Sequence, residues 1–251
     1  MLSRKILMSN LGYARGIDGS LIHHLRYAHR HVYCAPAVQQ KVLEQVSSLI
    51  EMTDPDICCF VEIDQGSANS AHFNQFEALL NEKYPFFDVE NKYGSSSMLR
   101  YMGLTKGKSN AFLAKHELPY EKVFFDKGFK RLIYKISLAH DITLFFAHFS
   151  LNKKVRSLQL EQVKILLETT PGEVIFLGDF NILEGLQEIA PLLENKDMVL
   201  LNSHTSPTFT FHKRQLILDL CICSKGIAPH AHLDVIPQPF SDHAALLLQL
   251  H

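Results

Sequence analysis

Runs of largely apolar residues that break off at a polar side chain narrow the folds open to this chain more than any other feature. Val174-Ile175-Phe176-Leu177 leads into Gly178-Asp179-Phe180-Asn181, Ile57-Cys58-Cys59-Phe60-Val61 stops at Glu62, and Ile142-Thr143-Leu144-Phe145-Phe146-Ala147 stops at His148. Ala244-Ala245-Leu246-Leu247-Leu248 does the reverse, starting directly after Ser241-Asp242-His243. A short apolar run without alternation is what a strand covered on both faces shows. Groups at the ends of such strands sit where a rigid element meets an open loop, a favourable place for reacting side chains.

Between these runs the periodicity changes. Val38, Val42, Val46, Leu49 and Ile50 share one helical face, opposite Lys41, Glu44, Ser48 and Glu51. A second helix is predicted after Ser70, with Phe73, Phe76, Leu80 and Tyr84 inward and Pro85 beyond it. A third spans roughly Val155 to Thr169 and closes at Pro171-Gly172, and a short one lies around Leu186 to Leu193. Lys5 to Leu11, Ala111 to Leu113, Leu132 to Leu138, Phe209 to Phe211 and Leu216 to Cys223 read as further strands. Strands alternate with helices early and pair without helices midway and late. The mixture predicts an α/β fold of two mixed sheets packed together with helices outside, in one domain over residues 1–251.

The chain is 47% hydrophobic and 20% charged, with a net charge of -1, the balance of a soluble globular protein without the basic excess common in duplex binders. Attraction to phosphates must then come from a local patch or a bound metal. The five cysteines show neither zinc-finger spacing nor disulfide-compatible placement, and read as reduced thiols of a cytoplasmic protein. Ile6-Leu7-Met8 is too short for a signal-peptide core, and no run is long enough to span a bilayer.

Asn10, Glu62, His148, Asp179 and Asn181 all follow apolar runs, while Asp242-His243 precedes one. If the last strand is antiparallel to the others, all these groups meet at one sheet edge. Oxygen donors from Glu62, Asn10 and Asp242, with no cysteine nearby, favour a hard cation such as Mg²⁺ or Mn²⁺. A hard cation flanked by histidines and carboxylates suits hydrolysis of a phosphate ester. Asp219 is the only charge in Leu216 to Cys223, and such a carboxylate is costly unless paired; a histidine is its natural partner.

The order Asn10, Glu62, His148, Gly178-Asp179-Phe180-Asn181, Asp219 and Ser241-Asp242-His243 resembles the endonuclease/exonuclease/phosphatase superfamily, the DNase I-like fold, over nearly the whole chain. The resemblance implies a four-layer α/β/β/α sandwich and a metal-dependent phosphoric ester hydrolase. It implies that Glu62 holds the metal with Asn10 and Asp242, and that Asp179 aligns or deprotonates the attacking water. Asn181 then donates to the phosphoryl group, and His243, oriented by Asp219, and His148 face the phosphate. The chain departs from the usual pattern at Val61, where Gln is common, and at Leu218 and Leu220 around Asp219.

His23-His24-Leu25-Arg26-Tyr27-Ala28-His29-Arg30-His31 follows the strand that bears Asn10 and starts at the same edge. It has two readings, a loop whose Arg26 and Arg30 grip a phosphate backbone or a solvated loop. Tyr93 to Lys108, with Arg100, Lys106 and Lys108, reads as a flexible hydrophilic loop in preference to a cover over the substrate. Arg156 and Gln159 stand at family-typical positions, with helix-surface or structural roles at least as favoured as substrate contact. The expected substrate is nucleic acid, cut by a nuclease. The alternatives are a phosphatase or phospholipase-like enzyme on inositol phosphates or phospholipid head groups, and a binding module that has lost its chemistry.

Overall fold

The computed structural model describes residues 3–94, 97–139, 141–194 and 198–251. Its strands are β1 (Arg4–Asn10), β2 (Ile57–Asp64), β3 (Phe86–Asn91), β4 (Lys108–Ala114), β5 (Tyr120–Phe124), β6 (Leu132–Ala139), β7 (Ile142–His148), β8 (Glu173–Asp179), β9 (Met198–Leu200), β10 (Phe209–Phe211), β11 (Arg214–Leu216), β12 (Asp219–Ser224), β13 (Ala231–Ile236) and β14 (Ala245–Leu250). Its α-helices are α1 (Leu21–Tyr27), α2 (Pro36–Thr53), α3 (Lys153–Thr169) and α4 (Ala190–Glu194).

One six-stranded sheet runs β13-β14-β1-β2-β4-β3 and the other β5-β6-β7-β8-β12-β9, with β10-β11 as a separate hairpin. Each sheet holds one parallel pair, β1 with β2 and β7 with β8. Parallel neighbours deliver their C-terminal ends to the same edge. Asn10 therefore ends beside Val61, and His148 ends opposite Asp179. β12 and β14 run antiparallel to their neighbours and start at that edge. Asp219 faces Asp179 across the β8–β12 pair, and His243, just ahead of β14, is bridged to Phe209.

Three apolar layers hold this arrangement. Met8, Cys59 and Val61 of the first sheet pack against Phe146, Leu177 and Cys221 of the second. On the outer face of the first sheet, Val42, Val46 and Leu49 of α2 cover Leu7, Cys58 and Phe60. On the outer face of the second, Leu160 and Val163 of α3 and Leu192 of α4 cover Phe145, Phe176 and Ile222. The result is the α/β/β/α sandwich, and the unbroken apolar runs reflect strands buried on both faces. The free cysteines are all buried in it. Among the described residues no helix is long and apolar enough to cross a membrane.

Local chemistry sets the helix ends. Pro36 occupies the first turn of α2, and Asp54 closes it in a left-handed conformation (φ 47°). Asn152 caps α3, its side-chain oxygen accepting from Val155 N at 3.2 Å. The predicted helix after Ser70 does not form. The segment makes only 3-10 turns at Ala68–Ser70 and Glu77–Leu79. Hydrogen bonds to the core override its helical periodicity: Gln75 N donates to Asp64 O at 2.8 Å, and the Gln75 amide donates to Tyr13 O at 2.7 Å and to Gln39 at 2.7 Å. Leu216 to Cys223 is likewise two elements, with β11 ending at Leu216 and β12 starting at Asp219. Thr208 Oγ1 accepts from both Leu218 N and Asp219 N at 2.9 Å and shapes the break. The polar stretch after Asn10 contains α1, capped by Ser20, and a 3-10 turn at Ala28–His31.

Two backbone features aim the site. Glu62 lies in a bulge where the β2–β4 register shifts between Phe60 and Ile63, and it adopts φ 56°. A bulge re-aims a side chain that a regular strand would bury in the sheet. At Gly178 a Cβ would run into the Ala147 carbonyl oxygen of the adjacent strand, so only glycine lets β8 sit this close to β7.

Candidate active site

Asp179 is the centre of the site. It is 1% exposed at the end of β8, and its Oδ1 accepts from Asn181 N at 3.0 Å. Oδ2 accepts from the Asn10 side-chain amide at 3.0 Å, lies 3.0 Å from His148 Nε2 and 3.9 Å from His243 Nε2. Burial alone would raise its pKa. His148 and His243 on either side outweigh that and hold the carboxyl well below the usual carboxylate range.

His243 is oriented from behind by Asp219, with Nδ1 to Oδ2 at 2.7 Å, which leaves Nε2 aimed at Asp179. Burial opposes charge on this imidazole, but Asp219 and Asp179 together keep it protonated. The histidine partner expected for Asp219 is thus found. Ser241 completes the Ser-Asp-His segment as a brace: its hydroxyl donates to Asn10 O at 2.9 Å and accepts from His243 N at 3.2 Å.

His148 behaves differently. Burial and the neighbouring Lys130 push its pKa down to about 4, so it is a neutral imidazole near pH 7. Its Nε2 meets both Asp179 and the Lys130 ammonium. Its Nδ1 is buried with no hydrogen-bond partner, 3.9 Å from Glu62 Oε1. Lys130 Nζ is also 3.9 Å from that oxygen. Sequence reading missed Lys130, because Lys130-Arg131 precedes its strand without a carboxylate–histidine pair of the kind that drew notice to Asp242-His243.

Glu62 shares a cleft with Asp242, lined also by Gly12, Arg15, Ile17, His24, His31 and Phe240. Burial would raise the Glu62 carboxyl, but His148, Lys130, Lys92 and Arg15 bring it down to about 2, so it is ionised. Among the described residues none donates a hydrogen bond to this carboxylate closely enough to occupy it; its nearest ionic partners are at 3.9 Å. Asn10 Oδ1 accepts from Gly12 N at 3.0 Å and retains a second lone pair. Two carboxylates on one cleft, with the Asn10 amide oxygen bonded to Gly12 of its lining and no sulfur ligand among the described lining residues, fit a hard divalent cation. Asp179, Asp219 and His243 also lie close enough to share an ion; Asp219 Oδ2 is taken by His243 Nδ1 at 2.7 Å, while Asp219 Oδ1 is buried without a hydrogen-bond partner among the described residues.

Asn181 adopts a left-handed conformation (φ 51°), and its side-chain amide donates to Phe149 O at 2.9 Å, which ties the β8 and β7 ends together. Arg26 is exposed and lies beside Tyr27. Arg30 instead donates to Arg15 O at 2.9 Å and stacks 3.8 Å over the Tyr27 ring. Arg156 and Gln159 are both buried. Arg156 bonds Glu188 and the carbonyls of Ser150 and Leu151, while Gln159 accepts from Ser150 N and donates to Lys127 O and Lys130 O. They brace the loop that follows His148 and the loop that carries Lys130.

A sequence profile of the Endonuclease/Exonuclease/phosphatase family matches residues 34–243. The chain belongs to that family. No curated protein matches it in sequence. Solved structures do in shape: D. rerio TDP2 humanized by 14 mutations aligns with TM-score 0.65 at 16% identity over 99% of each chain. D. rerio TDP2 complexed with single-strand DNA product aligns with TM-score 0.64 at 16% identity over 100% of each. An AP endonuclease from Archaeoglobus fulgidus aligns with TM-score 0.62 at 15% identity over 98% of this chain and 99% of its own. At such identity the likeness is one of fold, and the sandwich with its shared edge is the family's architecture.

Proposed function

We propose that this protein is a Mg²⁺- or Mn²⁺-dependent phosphodiesterase acting on nucleic acid. The observation that carries the reading is Asp179, held ionised between Asn10, His148 and a protonated His243 across a cleft edge from Glu62. Bound at Glu62, Asp242 and Asn10, the cation would supply charge neutralisation at the phosphoryl oxygens. Asp179, with so low a pKa, is a poor proton acceptor and a good hydrogen-bond acceptor, so its role is to align the attacking water. His243, kept cationic by Asp219, faces the developing negative charge. Lys130 adds a second cation on the other side, beside His148. Asn181, whose amide has one N–H spent on Phe149 O, presents its second N–H for the phosphoryl group. The single-strand DNA product bound to one structural neighbour and the fact that another is an AP endonuclease support nucleic acid as the substrate class. Arg26, exposed on α1, whose His24 lines the cleft, is the proposed backbone contact.

Turnover of bis-p-nitrophenyl phosphate with and without EDTA tests the reading. Metal-dependent turnover that drops about a hundredfold or more in Asp179→Asn is the expected result. A folded, pure protein without any such turnover overturns it in favour of a binding module. Supercoiled plasmid, single-stranded RNA and phosphoinositides assayed side by side separate nuclease from phosphatase or phospholipase.

A further inference from the structure

A second cationic group lies beside Glu62 and takes no part in the chemistry described so far. Tyr13, three residues past Asn10, is buried and held with φ 57°, and Ala14 follows at φ 51°. Consecutive left-handed non-glycine residues are strained, and such strain persists where the surroundings enforce it. Three cations gather on this one ring. Lys108 Nζ sits 3.8 Å from its centroid, Arg15 4.9 Å and Lys92 5.0 Å, and Lys92 also donates to the phenol oxygen.

Their charges are not balanced alike. Lys108 is paired with Asp64 at 2.8 Å, and Asp64 is further bound by Gly66 N and Ser67. Lys92 is 6% exposed, and among the described residues no carboxylate lies within salt-bridge distance of it. Burial brings the Lys92 pKa down to about 7 even with Glu62 near, so an anion joining it would hold the ammonium charged. Arg15 likewise has no ion-pair partner among the described residues, and it reaches the cleft that holds Glu62 and Asp242. Counting Lys130, three basic side chains stand near Glu62, against the carboxylates of Glu62, Asp242 in the same cleft and Asp179 beside Lys130, so a divalent ion bound there adds positive charge that these carboxylates do not balance. An internal phosphodiester brings one negative charge and leaves part of that excess unmet.

We propose that Arg15 and Lys92, presented by Tyr13 beside Glu62, form a subsite for a second phosphate of the substrate, a phosphomonoester carried next to the bond that is cut. The proposal rests on the phosphoesterase reading and adds the substrate class: a phosphorylated strand end, not an unmodified interior linkage. The guanidinium binds two phosphate oxygens at once and the ammonium binds as a point charge. Tyr13 acts as a positioning residue for both.

The test compares oligonucleotides bearing a 5′-phosphate, a 3′-phosphate or neither, with inositol 1,4-bisphosphate as a small-molecule arm. The wild type is expected to favour a phosphorylated substrate, and Arg15→Gln and Lys92→Gln are expected to lower the ratio of kcat/KM with and without that phosphate by about tenfold or more. A second readout needs no catalysis: calorimetric titration of metal-free protein with inorganic pyrophosphate, whose Kd should rise by about tenfold or more in Arg15→Gln. Arg15 is partly exposed, so this variant decides the matter should Lys92→Gln fail to fold. Preference for inositol 1,4-bisphosphate over every oligonucleotide supports the subsite and makes the small molecule its source. Equal kcat/KM with and without the added phosphate, or an unchanged pyrophosphate Kd in Arg15→Gln, overturns it. Absence of bis-p-nitrophenyl phosphate turnover in the wild type would sink the phosphoesterase reading alone, since pyrophosphate binding reports the subsite independently.

Discussion

The side-chain amide of Asn10, at the end of β1, donates a 3.0 Å hydrogen bond to Asp179 Oδ2, at the end of β8 in the opposite sheet. One buried contact thus spans the two sheets at the centre of the candidate site. Asn10→Ala removes a donor from a buried carboxylate. We expect a loss of stability of about 1–3 kcal/mol and a fall in kcat of about tenfold or more. Chemical denaturation and steady-state kinetics on bis-p-nitrophenyl phosphate measure the two effects. An unchanged kcat would show that the bond is structural only.

His243 carries a pH prediction. Its folded pKa is raised to about 10, since Asp219 and Asp179 overcome the opposing effect of burial. The imidazolium is therefore retained past the ordinary histidine value of about 6.5 and lost only as pH rises toward the folded value. An activity that needs the cation should hold through pH 8 and decline above it. Asp219→Asn removes the larger charge partner, so the alkaline limb should move down by about one pH unit or more. A limb that stays in place would separate His243 from the rate.

Lys130 depresses His148, second only to burial. Lys130→Met should raise the His148 pKa from about 4 while burial keeps it below the free-histidine value. An NMR titration of the imidazole reads this directly. The same variant loses a cation beside Glu62, and kcat/KM should fall about tenfold to a hundredfold. No movement of the titration would place Lys130 away from His148 in solution.

Gly178→Ala tests the close approach of β8 to β7. The added methyl meets the Ala147 carbonyl oxygen, and the strands must separate or bend. A loss of about 2 kcal/mol or more is expected in urea unfolding, with a lower Tm. Wild-type stability would mean that the sheet absorbs the methyl freely.

Arg156→Ala strands a nearly buried Glu188 and frees the carbonyls of Ser150 and Leu151. Breaking a buried pair from one side costs about 3–5 kcal/mol. The double variant Arg156→Met with Glu188→Met should recover much of that stability, which thermal unfolding can check.

Much of this was legible from residue order because buried strands announce themselves. The runs before Glu62, His148 and Asp179 are β2, β7 and β8, and the parallel pairing brings their ends together as the constellation required. Asp219 was readable for a different reason, as a lone carboxylate that needed a partner, and it meets His243. The helix predicted after Ser70 failed because Gln75 is drawn into hydrogen bonds with Tyr13 O and Gln39 from elsewhere in the chain, contacts no local periodicity encodes. The strand β3 escaped notice because its burial is partial and its sequence, Phe86 to Asn91, mixes charge with aromatics. Arg30 looked like a phosphate contact, yet it reaches back to Arg15 O and Gly16 O. Lys92 lies just past β3, and only the fold shows that it arrives at Tyr13.

The seam between the sheets also has a mechanical meaning. Asn10, Glu62 and His243 ride on one slab, and His148, Asp179 and Asp219 on the other, with Met8, Cys59, Phe146 and Leu177 as the adhesive between them. Any slip of one slab over the other misaligns the reacting groups long before either slab melts. Trimming the adhesive, as in Phe146→Leu, should thus slow the enzyme at temperatures where its circular dichroism still looks native, and turnover becomes the finer gauge of how tightly the two halves grip.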